Sequence, residues 1–210
     1  MALSISTFVL GPIGNNTFLI ADEDSKIAAV IDPSAASKDL VEKIHEKNWK
    51  LEYILITHAH FDHIGGVKSL IGQFGNNLKV ALHFADLELW REGGSSKEFG
   101  FDFNVGSEPN FSLEDGQILD LGKVPVQVLH TPGHTPGHVT FSIKSALAAF
   151  CGDLIFYHGV GRTDLKISNE THLLQSINEK ILTLDPETTL YPGHGPVTTV
   201  QEEIENNPFL

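Results

Sequence analysis

The sequence predicts an α+β fold, with sheets and helices outside them. Three observations predict it. Short strand-like runs open the chain, helical segments interrupt them, and strands dominate the middle. A hydrophobic fraction of 41% over 210 residues is enough for a substantial core. No linker, charge run or strong repeat divides the chain, so a single domain over 1–210 is expected.

The elements follow in order. ISTFVL (5–10), TFLIAD (17–22) and KIAAVI (26–31) read as strands. Gly11-Pro12 and Gly14-Asn15-Asn16 mark the first turn, and Asp32-Pro33 ends the third strand. Leu40, Val41 and Ile44 recur at helical spacing within 37–48. LEYILIT (51–57) is a mostly apolar run, the pattern of a strand buried on both faces. A short helix over 66–74, a strand at LKVAL (78–82) and a helix near 84–91 follow. Residues 92–112, rich in Gly, Ser, Asn and Phe, read as an irregular loop. QILDL (117–121), VPVQVLH (124–130), HVTFSI (138–143) and LAAFCGD (147–153) read as strands. Leu173, Leu174, Ile177, Ile181 and Leu184 share one side of an amphipathic helix over 169–184. TTLY (188–191) is a last strand, and Thr199 with Glu202 forms a capping box for a final helix. Composition and periodicity do not select a topology.

Charge excludes some functions. A formal net charge of −13 repels phosphate backbones, so nucleic acid is not expected as a partner. The one cysteine, Cys151, permits no internal disulfide and fits a reducing compartment. The start, MALSISTFVLGPIGNN, lacks the basic opening and cleavage site of a signal peptide. No run reaches the length of a membrane span. A cytoplasmic, membrane-free protein is therefore expected. Histidine is in excess, at 11 residues against 14 Lys and Arg together.

Much of that excess lies in clusters. His58, His60, Asp62 and His63 fall in THAHFDH, where LEYILIT ends. Imidazole nitrogen and carboxylate oxygen are zinc ligands, and extended backbone can turn His58 and His60 the same way. Asp62 and His63 are then free to face a second ion. His134 in TPGHTPGH, Asp153 at the end of LAAFCGD and His194 in YPGHGP each follow a strand-like run. Each has a glycine beside it that permits close backbone approach.

These residues, in this order, resemble the metallo-β-lactamase superfamily over nearly the whole chain. The resemblance implies a four-layer αββα sandwich, two packed mixed sheets with helices outside. It implies two divalent metal ions, zinc first, with iron or manganese as alternatives for this donor set. His58, His60 and His134 would hold one ion. Asp62, His63 and His194 would hold the other, with Asp153 bridging. Asp62 is also a candidate proton acceptor and Asp32 a candidate orienter of a ligand histidine; the other reading of Asp32 is an Asp-Pro turn residue. Five neutral imidazoles, two carboxylates, two divalent ions and a bridging hydroxide sum to about +1, a site suited to an oxyanion.

Within the superfamily, GPIGNNTFLI, AVIDP, TPGHTPGH, GDLIF, GVGRTD, YPGHGP and NPFL resemble the glyoxalase II, or hydroxyacylglutathione hydrolase, group and its short single-domain members. That implies hydrolysis of a glutathione thioester such as S-lactoylglutathione by a metal-bridging hydroxide. Two departures stand out. The helical C-terminal domain of full-length glyoxalase II has no counterpart here, and Pro196 stands where those enzymes carry a glutathione-binding tyrosine. Arg162 in GVGRTD matches a basic substrate-contact position and equally reads as a loop arginine in an ion pair. Cys151 reads as a small buried apolar residue. His138 reads as support for its strand or for the ligands. The alternatives are a mononuclear Fe(II) persulfide dioxygenase, with the metal at His58, His134 and Asp153, and a hydrolase of another small ester or lactone.

Overall fold

The computed structural model describes residues 2–101 and 104–210, so part of the expected 92–112 loop lies outside the described residues. Two six-stranded sheets face each other. The first is built from β1 (Leu3–Leu10), β2 (Asn15–Asp22), β3 (Ile27–Ile31), β4 (Lys50–Leu55), β5 (Lys79–His83) and β6 (Phe111–Leu113), paired in that order. β1 to β3 pair antiparallel; β3 to β6 pair parallel. Between the parallel strands run α1 (Lys38–Glu46), the single turn α2 (Phe61–Ile64), α3 (Val67–Phe74) and α4 (Leu87–Arg91).

The second sheet comprises β7 (Ile118–Leu121), β8 (Val124–His130), β9 (Val139–Ile143) and β10 (Ala148–Gly152), then β13 (Thr189–Pro192) and β14 (Thr198–Thr199). A hairpin of β11 (Ile155–Phe156) and β12 (Gly159–Val160) follows β10. α5 (Glu170–Ser176) continues into a π-helical stretch over Ile177–Ile181, and α6 (Val200–Asn206) ends the chain.

Three clusters of buried side chains define four layers. Alternate residues of β2 separate two of them: Phe18 and Ile20 face the second sheet, Leu19 and Ala21 face α1 and α3. This explains why β2 is buried along its whole length. Between the sheets, Phe18, Leu55, Val128, Phe141 and Phe150 meet; each large side chain buried there contributes about 1.5–3 kcal/mol relative to exposure. A third cluster packs Leu173, Ile177 and Ile181 against Ala149, Cys151 and Leu190 on the outer face of the second sheet. The architecture is the expected α+β, helix–sheet–sheet–helix arrangement.

The chain differs from the sequence expectation in short elements. β6, β11, β12 and β14 have two or three residues each, too few for periodicity to register. The 169–184 helix is not α throughout, because Leu182 N reaches back five residues to the Ile177 carbonyl at 2.9 Å. Thr199 Oγ1 accepts from Glu202 N at 3.1 Å, but the Glu202 carboxylate turns to His158 Nε2 at 2.8 Å. No helix among the described residues is long and apolar enough to cross a membrane.

Candidate metal centre

The parallel strands β3 and β4 end side by side, and their ends build the first half of the site. Asp32, just past β3, takes φ +49°. Its carbonyl accepts from Asn15 Nδ2 at 3.1 Å and Thr17 Oγ1 at 2.8 Å, which holds this unfavourable conformation in place. Its carboxylate accepts from Thr57 N at 2.7 Å, Thr57 Oγ1 at 2.6 Å and His63 Nδ1 at 2.9 Å. The segment that leaves β4 is thereby fixed at Thr57. His60 keeps extended backbone at φ −68°, and the turn of α2 then brings Asp62 and His63 round.

The second sheet supplies the other half. His134 lies between β8 and β9, Asp153 follows β10, and His194 follows β13. His134 Nδ1 donates to the Arg162 carbonyl at 2.9 Å, leaving Nε2 as its lone-pair nitrogen. Asn16 fastens the last loop: its N–H donates to Gly193 O at 2.7 Å, and its Nδ2 donates to Pro192 O and Gly195 O at 2.9 Å each. Gly193 must be glycine, since a Cβ there would lie 2.7 Å from His63 Cε1 and closer still to Asp153 Oδ1.

The seven residues named from sequence come together. Ligand atoms of His58, His60 and His134 lie within 4.8 Å of one another; the same holds for Asp62, His63 and His194, and for His58, His63 and Asp153. Asp153 Oδ2 is 3.7 Å from Nε2 of His134 and 3.7 Å from Nε2 of His194. One carboxylate oxygen thus sits between the two triads. His60 Nδ1 faces His134 Nε2 at 2.9 Å, and His194 Nε2 faces Asp62 Oδ2 at 3.1 Å.

Charges follow from burial and neighbours. Burial, reinforced by His63 and His134, holds His58 well below the usual imidazole range. Burial and His134 bring His60 down to about 3. Both are neutral; Nε2 of each has no hydrogen-bond partner, while His60 Nδ1 faces His134 Nε2. Burial acts to raise Asp62 and Asp153, but His63 and its fellow histidines hold both far below the carboxylate range. His63 is the reverse: burial acts to lower it, and Asp62, Asp153 and Asp32 push it well above. A proton on His63 therefore occupies the electrostatic place of a cation.

These residues fit a pair of divalent ions. His58 Nε2, His63 Nε2 and Asp153 Oδ1 are buried without a hydrogen-bond partner, and two imidazole nitrogens 2.9 Å apart need a shared proton or cation between them. Five imidazoles and two carboxylates are a donor set for zinc, iron or manganese.

A cavity of about 390 Å³ opens on these ligands, walled by Ile13, Phe61, Phe156, Val160 and Leu165. Arg162 lies at its edge, with its guanidinium paired to Asp164 by two 2.7 Å bonds. Cys151 is fully buried, and burial pushes its thiol up. His138 gives Nδ1 to Thr131 Oγ1 at 3.0 Å, while its buried Nε2 has no partner. The rings of His83 and His130 stack with centroids 4.1 Å apart, and neither belongs to the three ligand groups. Sequence reasoning missed Asn16 and Thr17 as supports, because an Asn-Asn-Thr run after glycine reads first as a turn.

A profile of the metallo-β-lactamase superfamily matches residues 10–194. The hydroxyacylglutathione hydrolase GloC of Haemophilus influenzae is 35% identical, over 93% of this chain and 92% of that protein. Among solved structures, the BLEG-1 B3 metallo-β-lactamase superposes with TM-score 0.91 at 35% identity, over 99% of both chains. The di-iron-bound form of TTHA1623 gives 0.87 at 36% identity, over 98% of this chain and all of that one. The fold and the extent of these matches lead to one conclusion: the chain belongs to the metallo-β-lactamase superfamily.

Proposed function

We propose that this chain is a binuclear metal hydrolase acting on a small thioester, with a glutathione thioester such as S-lactoylglutathione as the substrate class. The observation that carries the reading is Asp153 Oδ2, at 3.7 Å from both His134 and His194, one from each triad. His58, His60 and His134 would hold one ion, and Asp62, His63 and His194 the other, with Asp153 shared. Such ions supply a Lewis acid and a water that ionises near pH 7. Zinc suits the donors, and the di-iron-bound form of TTHA1623 supports iron as the alternative.

The chain's own residues do the rest. Neutral His58 and His60 keep lone pairs available, and Asp32 orients His63 through its Nδ1–H. Asp62, ionised and only 5% exposed, is placed to accept a proton at the mouth of the site. The apolar wall of Ile13, Phe61, Phe156, Val160 and Leu165 excludes water around the scissile group. It suits the sulfur and carbon skeleton of a thioester better than a polyanion. Arg162 is the cation positioned for a substrate carboxylate, once Asp164 yields it. The similarity to GloC supports glutathione as the carrier.

Elemental analysis paired with an S-lactoylglutathione assay and an oxygen electrode tests this. The expected result is two ions per chain and hydrolysis without oxygen uptake. Oxygen consumption with glutathione persulfide would move the chain to the Fe(II) dioxygenase reading. A chain loaded with two ions yet inert to every thioester would sink the substrate class. His60→Ala is expected to fold, bind less metal and lose hydrolysis.

A further inference from the structure

A fully buried carboxylate, Asp86, lies at the end of the short turn Phe84–Asp86 that follows β5. An aspartate at a helix start reads as a cap, but this side chain makes no bond to its own helix. It reaches instead to two loops from different sheets. Oδ2 accepts from Ala59 N at 3.0 Å and from Thr135 Oγ1 at 2.7 Å. Oδ1 accepts from Gly137 N at 2.6 Å. Ala59 stands between His58 and His60; Thr135 follows His134. The second Pro-Gly of TPGHTPGH has its reason here: a Cβ on Gly137 would lie 2.6 Å from Asp86 N and 2.7 Å from Asp86 Oδ1.

We propose that Asp86 is a positioning residue: it clips the His58/His60 segment to the His134 loop and so sets the affinity of the first ion. The inference rests on the reading that this triad holds metal. His58 and His60 ride on the first sheet and His134 on the second, so sheet packing alone must otherwise register three donors within 4.8 Å. A buried carboxyl group accepting three hydrogen bonds removes that freedom before any ion arrives. Asp32 does the same for the other side, through Thr57 and His63. The 57–63 segment is therefore gripped by one buried carboxylate from each flank.

The fold supplies a matched control. Asp22 has no exposed surface either, though it lies nearer the solvent; it accepts from Asp24 N at 3.1 Å on Oδ1, and from Ser25 Oγ at 2.6 Å and Lys123 N at 2.9 Å on Oδ2. Its bonds join two turns and touch no ligand-bearing loop. At either site asparagine turns an NH2 toward a backbone N–H, because N–H donors sit on both oxygens. Both variants are expected to lower the melting temperature of the metal-free protein.

The test is Zn²⁺ affinity by chelator competition on the full-length chain. The His194→Ala background leaves only the first triad complete; the His60→Ala background leaves only the second. Asp86→Asn is expected to weaken the first triad roughly tenfold to a hundredfold and the second within about twofold. Asp22→Asn is expected to change neither by more than about twofold. Equal weakening of both triads by Asp86→Asn, or an effect no larger than that of Asp22→Asn, would overturn the proposal. Should Asp86→Asn not fold, Thr135→Val removes one of the three bonds, and a selective loss of a few-fold at the first triad is expected; no selective loss overturns the proposal. A wild-type chain that binds no Zn²⁺ would refute the metal reading itself, which is a different result.

Discussion

Replacing Asp32 by asparagine isolates one proton. The backbone at φ +49° tolerates asparagine, so the exchange adds little strain, whereas alanine would add both strain and an unpaired Thr57 N–H. Thr57 N can only donate, so the amide oxygen stays on the Oδ1 side, where that bond is 2.7 Å. The NH2 then faces His63 Nδ1, which lies 2.9 Å from Asp32 Oδ2 in the native chain. To accept from it, His63 must move its proton to Nε2, the nitrogen that looks toward Asp62 and Asp153 at 3.4 and 3.3 Å. A protonated Nε2 cannot bind metal. Keeping the old tautomer instead forfeits a charge-assisted bond worth about 1.5–3 kcal/mol. Either route predicts roughly tenfold to hundredfold weaker binding at the Asp62/His63/His194 triad. Zn²⁺ competition titration of Asp32→Asn, beside a melting curve of the metal-free form, measures it. Wild-type affinity for both ions would refute the tautomer argument.

Other outcomes are expected. Gly193→Ala drives a methyl into Asp153 and His63, so turnover falls about a hundredfold, while Gly72→Ala, on α3 with open space around its Cβ and ordinary helical backbone, keeps metal and turnover; steady-state assay and metal content tell them apart. His63, raised above 6.5 by Asp62, Asp153 and Asp32 against burial, stabilises the metal-free fold below that pH and loses this as pH rises through its folded value. Metal loading then releases a proton at neutral pH, which calorimetry in buffers of different ionisation enthalpy detects. Asp22, lowered from 3.8 to about 2 by Ser25 and Lys123, gives stability present above 3.8 and lost as pH falls toward 2; acid denaturation of Asp22→Asn shows a shallower limb there. Cys151, buried with its thiol raised, is expected to react with an aromatic disulfide only after unfolding.

The ligands were legible because metal chemistry restricts residue type and the turns restrict spacing. His58, His60, Asp62 and His63 cluster within one segment, and Pro-Gly-His recurs at 134 and 194. The layers were legible where an apolar run is continuous: LEYILIT, read as a strand covered on both faces, is β4 and its extension, buried from Tyr53 to Thr57, whereas the burial of β2 was hidden by its Asn, Thr and Asp residues. The supports were not legible. Asp86, Asn16 and Gly137 act through backbone atoms of distant segments, and a hydrogen bond to a main-chain amide leaves no preference for what the partner residue is. Arg162 shows the same limit differently. Its place in GVGRTD suggested a substrate contact or a loop ion pair, and the pair with Asp164 is present, but nothing in the side chain foretold that its carbonyl fixes His134, a task any residue at that place performs. The π-helical widening over Ile177–Ile181 was hidden because Leu173, Ile177 and Ile181 keep a period close to that of an ordinary helix.

The latch from Asn16 to the loop of His194 spans 176 residues between Asn16 and Pro192. During synthesis, the strand that secures the His194 loop is therefore made long before the ligand it holds. A nascent chain extended only as far as Asp153 carries the first triad without His194, so on the proposed two-ion reading it would capture one ion but not assemble the pair. On that reading, complete loading would thereby wait for His194, and each ion would then tie one sheet to the other against thermal opening, by roughly 2.7 kcal/mol at a hundredfold excess over its dissociation constant.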